Sequence, residues 1–278
     1  MKKILVPCDF SEPSVKAFQF AVELANLTNG TIELLHVIEL PVLHDTVLMP
    51  TLSFEEAFMK DAKANAEKSF EKLISKYAKE GPKVTHSITF GPVTISICDA
   101  AEEKKSDLII MGTHGASGWK EFLVGSNTEK IVRKASVPVI AIKKNAKAGA
   151  IRNIVFPIIP DLDLEELILK VKQLQNALDA KLHIVFVNTP ALFKRTAEIM
   201  PELKKFAKRF MLKDYTLNIY NDINEEDGVR NFTQEIKGDL VAIATHGRRG
   251  IGHLLAGSIA EDVVNHLECP IWTSKLHS

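Results

Sequence analysis

The chain has 278 residues, 46% hydrophobic and 25% charged, and its 35 basic and 35 acidic residues give a formal net charge of zero. That balance supplies no general basic field for nucleic acid or an anionic membrane surface, and no apolar run reaches the ~18 residues of a membrane-spanning helix. Three scattered cysteines, Cys8, Cys98 and Cys269, make neither a disulfide framework nor a metal-ligand pair and suit a reducing cytoplasm, and the opening Met1-Lys-Lys-Ile-Leu-Val-Pro7 is too poor in apolar residues for a signal peptide.

The predicted elements alternate. A strand over 3–8 precedes a helix over about 13–27, whose apolar face is Val15, Phe18, Ala21, Val22 and Ala25 and which Asn29-Gly30 stops. Then come a strand over 31–38, a longer helix over 54–79 ending at Gly81-Pro82, and a strand over 84–89. A helix over 93–104, a strand over 107–111, a glycine loop, a helix over 126–135 and a strand over 138–143 complete the first half. The small, polar stretch Lys143 to Ala150 reads as a linker, after which the order repeats. Such βαβ alternation predicts a parallel sheet with helices on both faces. Strands rich in Ile, Val and Leu without strict alternation agree with that.

The repetition is visible residue by residue. Ile4-Leu-Val-Pro7 matches Ile154-Val-Phe-Pro157, and Leu34-Leu-His-Val37 matches Ile184-Val-Phe-Val187, both at an offset of 150. Val137-Pro-Val139 matches Cys269-Pro-Ile271 at 132, so the first half carries extra chain within Glu39–Ala64. A period this long is a tandem duplication of a domain and not a solenoid. The apolar insertion Leu40 to Pro50 reads as a lid, a partner surface or packing on the sheet edge.

Within the repeat, Gly112-Thr-His-Gly115 is followed after nine residues by Gly125-Ser126, and Ala244-Thr-His-Gly247 after nine residues by Gly257-Ser258. Each follows an apolar run, Asp107-Leu-Ile-Ile-Met111 or Asp239-Leu-Val-Ala-Ile243. Ligands of open parallel sheets bind beyond the carboxyl ends of the strands. Glycines at 112 and 115 let a sugar or phosphate approach the main chain. Gly125-Ser126 opens a helix, whose free N–H groups and partial positive charge favour phosphate, with Ser126 and Thr128 as hydroxyl donors. Ser126-Asn-Thr-Glu129 and Ser258-Ile-Ala-Glu261 equally fit a capping box, which needs no ligand.

With Pro7-x-Asp9-x-Ser11 closing the first strand, these spacings resemble the universal stress protein family over essentially the whole chain, as copies at 1–144 and 151–278. The resemblance implies two tandem Rossmann-like α/β domains, each a five-stranded parallel sheet with helices on both faces, and ATP or AMP bound in the first. It assigns Asp9 to the adenine amino group, Val37 and Pro7 to the adenine wall, and Met111, Gly112 and Gly115 to the ribose and first phosphate. Gly125, Ser126, Asn127 and Thr128 would hold the phosphates, with Mg²⁺ near a triphosphate and at most slow hydrolysis. Apart from the resemblance, Asp9 also reads as a turn or cap aspartate before Ser11-Glu-Pro13. Family members pair their last strands, and here Val139–Ile142 would pair with Ile271–Ser274 inside one chain, with room for a homodimer of two chains.

The second half departs from the pattern. Ile159 aligns with Asp9 and cannot accept a hydrogen bond, and Ala244 aligns with Gly112, adding a methyl and resisting positive φ. Gly247, Gly257 and Ser258 remain as a weak second site, with Arg248 and Arg249 beside it. His114 and His246 read as loop-structuring or phosphate-contacting, and Cys8 as a small buried residue at a strand end. His36, His44, His86 and His183 are not at metal-ligand spacing. Neither a Gly-x4-Gly-Lys-Ser/Thr loop nor a Gly-x-Gly-x-x-Gly after the first strand is present. The expected function is a cytoplasmic, nucleotide-binding stress-response regulator that acts on an unidentified protein partner. The alternatives are an adenylating enzyme or slow ATPase, and a scaffold without nucleotide.

Overall fold

Apolar strands, most of them followed by an amphipathic helix, form one sheet with both faces buried. The computed structural model describes residues 1–39, 51–113, 126–143, 145–159, 164–246 and 267–276, with backbone only at 51–57, 126, 246 and 276. The first half runs β1 (Lys3–Pro7), α1 (Glu12–Thr28), β2 (Thr31–Ile38), α2 (Thr51–Tyr77), β3 (Lys83–Phe90), α3 (Val93–Glu103), β4 (Leu108–Gly112), α4 (Ser126–Lys134) and β5 (Val139–Ile142). The second runs β6 (Asn153–Pro157), α5 (Glu165–Leu178), β7 (Lys181–Asn188), α6 (Thr196–Arg209), β8 (Tyr215–Asn221), α7 (Glu225–Glu235), β9 (Leu240–His246) and β10 (Ile271–Leu276). One ten-stranded sheet results, ordered β3-β2-β1-β4-β5-β10-β9-β6-β7-β8. Pairing is parallel within each half and antiparallel at β5–β10, where Trp272 lies opposite Ile140. The expected pairing of the two last strands is therefore present, and Thr273 Oγ1 adds a bond to the Val139 carbonyl at 3.4 Å.

One apolar core crosses that seam. Phe18, Ile140, Ile154, Phe156, Ile168 and Trp272 belong to a single buried cluster under α1, α2, α5 and α6. On the opposite face the halves have separate clusters, one around Leu5, Ile97 and Ile131, the other around Val155, Val229 and Ile271. The shared core explains a departure from the predicted face of α1. Ala17, Phe20 and Leu24 are buried along with Phe18, Ala21 and Ala25, while Val15 and Val22 are only partly covered. The sheet, α2 and α5 all contact α1, so its covered surface is wider than one stripe. Nor is the linker free. Its 3₁₀ turn Ala148–Ala150 packs on α1, with Ala148 and Ile151 fully buried.

Matching devices hold both copies. Asn29 and Asp179 take the left-handed conformation that ends α1 and α5 (φ 48° and 49°). Asp107 accepts the amide protons of Lys2 and Lys3 at 2.6 and 3.0 Å, and Asp239 those of Arg152 and Asn153 at 2.9 Å each. Each aspartate thus ties the start of its fourth strand to the start of its first. Their shared place before the two apolar runs was the sequence signal for this role.

The second half adds a polar chain across β6, β7 and β8. Thr216 Oγ1 accepts from Asn218 and meets His183 Nδ1 (2.9 Å each), to which it donates when the imidazole carries its one proton on Nε2. Because Asn153 Nδ2 donates to Asp239, its Oδ1 accepts from His183 Nε2 at 3.0 Å. The neutral imidazole satisfies every contact. Burial, then the charge of Lys181, pull the His183 pKa below its ordinary value, against a smaller opposing effect of Asp214.

Two outcomes follow from this architecture. Trp272→Ala is expected to cost about 3–5 kcal/mol, and urea unfolding followed by circular dichroism should stay a single transition at a lower midpoint, because the core is shared. For His183 the folded pKa lies below the unfolded one, so the unfolded chain takes up the proton first as pH falls through about 6.5, and stability is lost there. The stability advantage of the native chain over His183→Gln should therefore shrink between about pH 7.5 and about pH 5.5, as read by urea midpoints.

Candidate functional site

The strand order turns back on itself between β1 and β4, which makes the crevice at their carboxyl ends the expected ligand position. Pro7 and Asp9 leave β1 there, Met111 and Gly112 end β4, and Val37 lies near the end of β2. The first turn of α4 joins them through Thr128, whose Oγ1 donates to the Gly112 carbonyl at 3.0 Å. The structure thus brings Pro7, Asp9, Val37, Met111, Gly112, Asn127 and Thr128 to one end of one sheet. Gly115, Gly125, His114, Gly247, Gly257, Ser258, Arg248, Arg249 and the insertion 40–50 lie outside the described residues, as does the Ser126 side chain.

Asp9 sits at the surface and accepts from the Ser11 amide at 3.0 Å and the Ser11 hydroxyl at 2.5 Å, both at Oδ1. Surrounding protein opposes its charge. The Ser11 hydroxyl and amide and the Ser14 hydroxyl nonetheless hold its carboxyl below the usual range. Asp9 is therefore an anionic acceptor at neutral pH, and its local turn also feeds the Ser11 cap of α1. Between them, Phe10 is held at φ 63°, a conformation that costs a residue with a Cβ roughly 1–2 kcal/mol. Its ring lies 4.8 Å from that of His36 and 4.9 Å from that of Phe70. His36 Nδ1 contacts the Cys8 carbonyl at 2.7 Å, and since a carbonyl only accepts, Nδ1 carries the proton. Phe70 in turn lies 4.8 Å from His86, whose Nε2 meets Glu67 Oε2 at 2.6 Å. Sequence reasoning missed this clamp. It had set His36 and His86 aside as unsuited to a metal, and among the described residues no metal-binding group of His, Cys, Asp and Glu is found.

Cys8 is buried, 3.6 Å from Ser14 Oγ, and burial pushes its thiol pKa up, which suits a packing role over a reactive one. Met111 points into the cluster with Leu5, Leu35 and Ile97, so its backbone is what it presents to the crevice. Gly112 needs its missing side chain for a reason other than the one expected. Its φ is not left-handed, and a Cβ there would lie 2.6 Å from the Pro13 carbonyl carbon and oxygen. Glycine at 112 lets the first turn of α1 press against the end of β4. Thr128 is buried and spends its hydroxyl proton on Gly112, which anchors α4 beside that strand.

The second crevice is filled differently. Ile159, partly buried, packs against the apolar cluster that includes Val155, Val187 and Val241. Val187, the partner of Val37 in the repeat, is buried, and Gly228 of α7 closes over it. A Cβ at 228 would fall 2.3 Å from Val187 Cγ1. A glycine inside a predicted helix was the available signal. At the end of β7, Asn188 accepts from the Lys194 amide and donates to Asn221, both at 2.9 Å, while Thr189 caps a 3₁₀ turn at Pro190–Leu192. Ala244, buried in β9, stands at the position that Gly112 holds in the first half.

Comparison with known proteins bears on the family and the fold. The model of the universal stress protein family matches twice, at residues 1–143 and 150–275. A universal stress protein of Methanocaldococcus jannaschii is 31% identical over 147 residues, covering 52% of this chain and 84% of the relative. A second from that organism is 30% identical over 154 residues, covering 51% and 95%. Among solved structures, a universal stress protein from Archaeoglobus fulgidus DSM 4304 superposes with a TM-score of 0.79 at 20% identity, over 98% of both chains.

The glycine at the end of β4 is directly testable. Gly112→Ala should destabilise the chain by about 1–3 kcal/mol, because backbone of α1 must move. Ala244→Gly, which only loosens a strand, should cost about 1 kcal/mol or less. Thermal melts of both variants measure the contrast.

Proposed function

This chain belongs to the universal stress protein family, as two tandem copies, and from that premise we propose that it is a cytoplasmic regulator that binds adenine nucleotide in its first half only. The observation that carries the reading is the contrast at one aligned position. Asp9 is an exposed, ionised acceptor at the carboxyl end of β1, whereas Ile159 is an apolar residue packed, partly buried, against the apolar cluster of the second half. In this reading Asp9 accepts from the adenine amino group, and Val37 with Pro7 forms the wall beside the base. The backbone of Met111 and Gly112 faces the ribose. Asn127 and the amides at the start of α4 face phosphate, as the free N–H groups of a helix start favour.

The residues fit such a ligand, with an anionic acceptor at one end of the crevice and a helix N-terminus at the other. Mg²⁺, where present, arrives with the triphosphate. Gly115, Gly125 and Ser126 complete the phosphate end by their place in the motif. The second half, with Val187 covered by α7, serves as the structural partner of the first. The nucleotide-bound state would then alter contacts with a protein partner. Such a binding role fits the site better than the adenylating alternative, which needs a second substrate pocket.

Nucleotide released by denaturing freshly purified protein should amount to about one ATP or AMP per chain on this reading of one working site. Asp9→Ala should weaken ATP binding about 10- to 100-fold, the worth of one charge-assisted hydrogen bond, in calorimetry. Two nucleotides per chain would contradict the asymmetry, and none, with no uptake of added ATP, would favour the scaffold.

A further inference from the structure

The duplication provides an internal control for residues around the first crevice. The aspartate pins Asp107 and Asp239 recur in both copies, as a feature of the fold should. The residues that clamp the loop after β1 do not. Phe10 aligns with Pro160, His36 with Phe186, and His86 with Leu217. A proline ring restricts φ to about −65°, so a copy with proline at this position cannot build the left-handed turn seen at Phe10. In the second half Phe186 and Leu217 simply pack in the apolar core. The clamp is thus found where Asp9 is found and is replaced where Asp9 is replaced by Ile159.

Its geometry says what it does. Phe10 is the residue between Asp9 and Ser11, and its φ of 63° belongs to the turn in which Ser11 donates twice to Oδ1. Backbone held in a sparsely populated conformation persists only where its surroundings impose it. Here the surroundings are the rings of His36 and Phe70, which also meet each other beside Phe10, and the hydrogen bond from His36 Nδ1 to the carbonyl of Cys8, the residue just before Asp9. Phe70 belongs to α2 and is itself backed by His86 and Glu67. The loop is gripped on both sides of the carboxylate.

We propose that Phe10 and His36 are positioning residues that aim Asp9 at the edge of the base and so set the preference for adenine over guanine. The inference rests on the nucleotide reading above. Adenine presents an amino donor where guanine presents a carbonyl acceptor. A carboxylate fixed opposite that atom attracts the first base and repels the second, and a carboxylate free to swing discriminates less.

The test is calorimetry of ATP and of GTP on the full chain, stripped of carried-over nucleotide. Native protein is compared with Phe10→Asn, which tolerates the left-handed backbone but lacks the ring, and His36→Phe, which keeps bulk but loses the bond to Cys8. Native protein should prefer ATP. In both variants the ATP-to-GTP affinity ratio should fall about tenfold or more, with ATP affinity lowered and GTP affinity unchanged or raised. A merely structural role would weaken both nucleotides alike or lower only the melting temperature, and either result overturns the inference while leaving nucleotide binding standing. If Phe10→Asn fails to fold, His36→Phe decides alone, since it carries the second copy's own residue. Native protein that takes up neither nucleotide overturns the reading and the inference together.

Discussion

The seam between β5 and β10 is the contact on which the rest of the molecule depends. Ile140 and Trp272 occupy the same place in the two copies, and they pair with each other. The local two-fold of the duplicated unit therefore passes between them. In a symmetric dimer the residue on that axis must pack against itself, so its size is bounded by half the space available. Joining the copies in one chain removes the bound, and a fully buried indole meets an isoleucine. The pairing also covers two strand edges that would otherwise be open to association, and it merges two apolar layers into the core that buries α1 and α5 side by side.

Fusion of this kind separates what the fold needs from what a ligand needs. Both copies keep the aspartate that ties the first strand to the fourth, the left-handed stop after the first helix, and the strand order on either side of the switch point. Around the crevice they diverge. The first copy spends its polar residues at the carboxyl ends of the strands, on Asp9, Ser11 and Thr128. In the second, apolar side chains and the approach of α7 fill the same place, and the polar residues move to the network around His183. Desolvating a polar group is costly unless it is paired, so an apolar lining suits a copy that carries Ile159 where the other carries Asp9. Alpha-helix α4 links the two regimes, since it starts beside Gly112 and packs on β5 as well as on β9 and β10 of the other half.

Most of the element order was legible because it rests on local patterns. Apolar runs of strand length, helix stops such as Asn29-Gly30, and the internal repeat each carry their own signal. Boundaries moved by a few residues, with β4 reaching Gly112 and α2 starting at Thr51. The reasons behind particular residues were less legible. Gly112 was read as an opening for a ligand, and its immediate steric cause is Pro13, a hundred residues away in sequence. Thr128 was read as a phosphate donor, and its proton is engaged by the main chain. The linker looked free by composition and is packed on α1. In each case the deciding partner lies on another element, and no local pattern reports it.

By itself, then, the sequence determined the class of fold, its duplication, the end of the sheet on which the motif residues gather and the asymmetry between Asp9 and Ile159. These follow from periodicity, from glycine and proline stereochemistry and from residue type, all of which act over a few neighbours. Only the tertiary structure decided that one core spans both halves, that Val187 is closed off by Gly228, and that Phe10 takes a left-handed turn against the rings of His36 and Phe70. Those outcomes depend on close packing between segments far apart in the chain, where a single methyl group or ring either fits or does not.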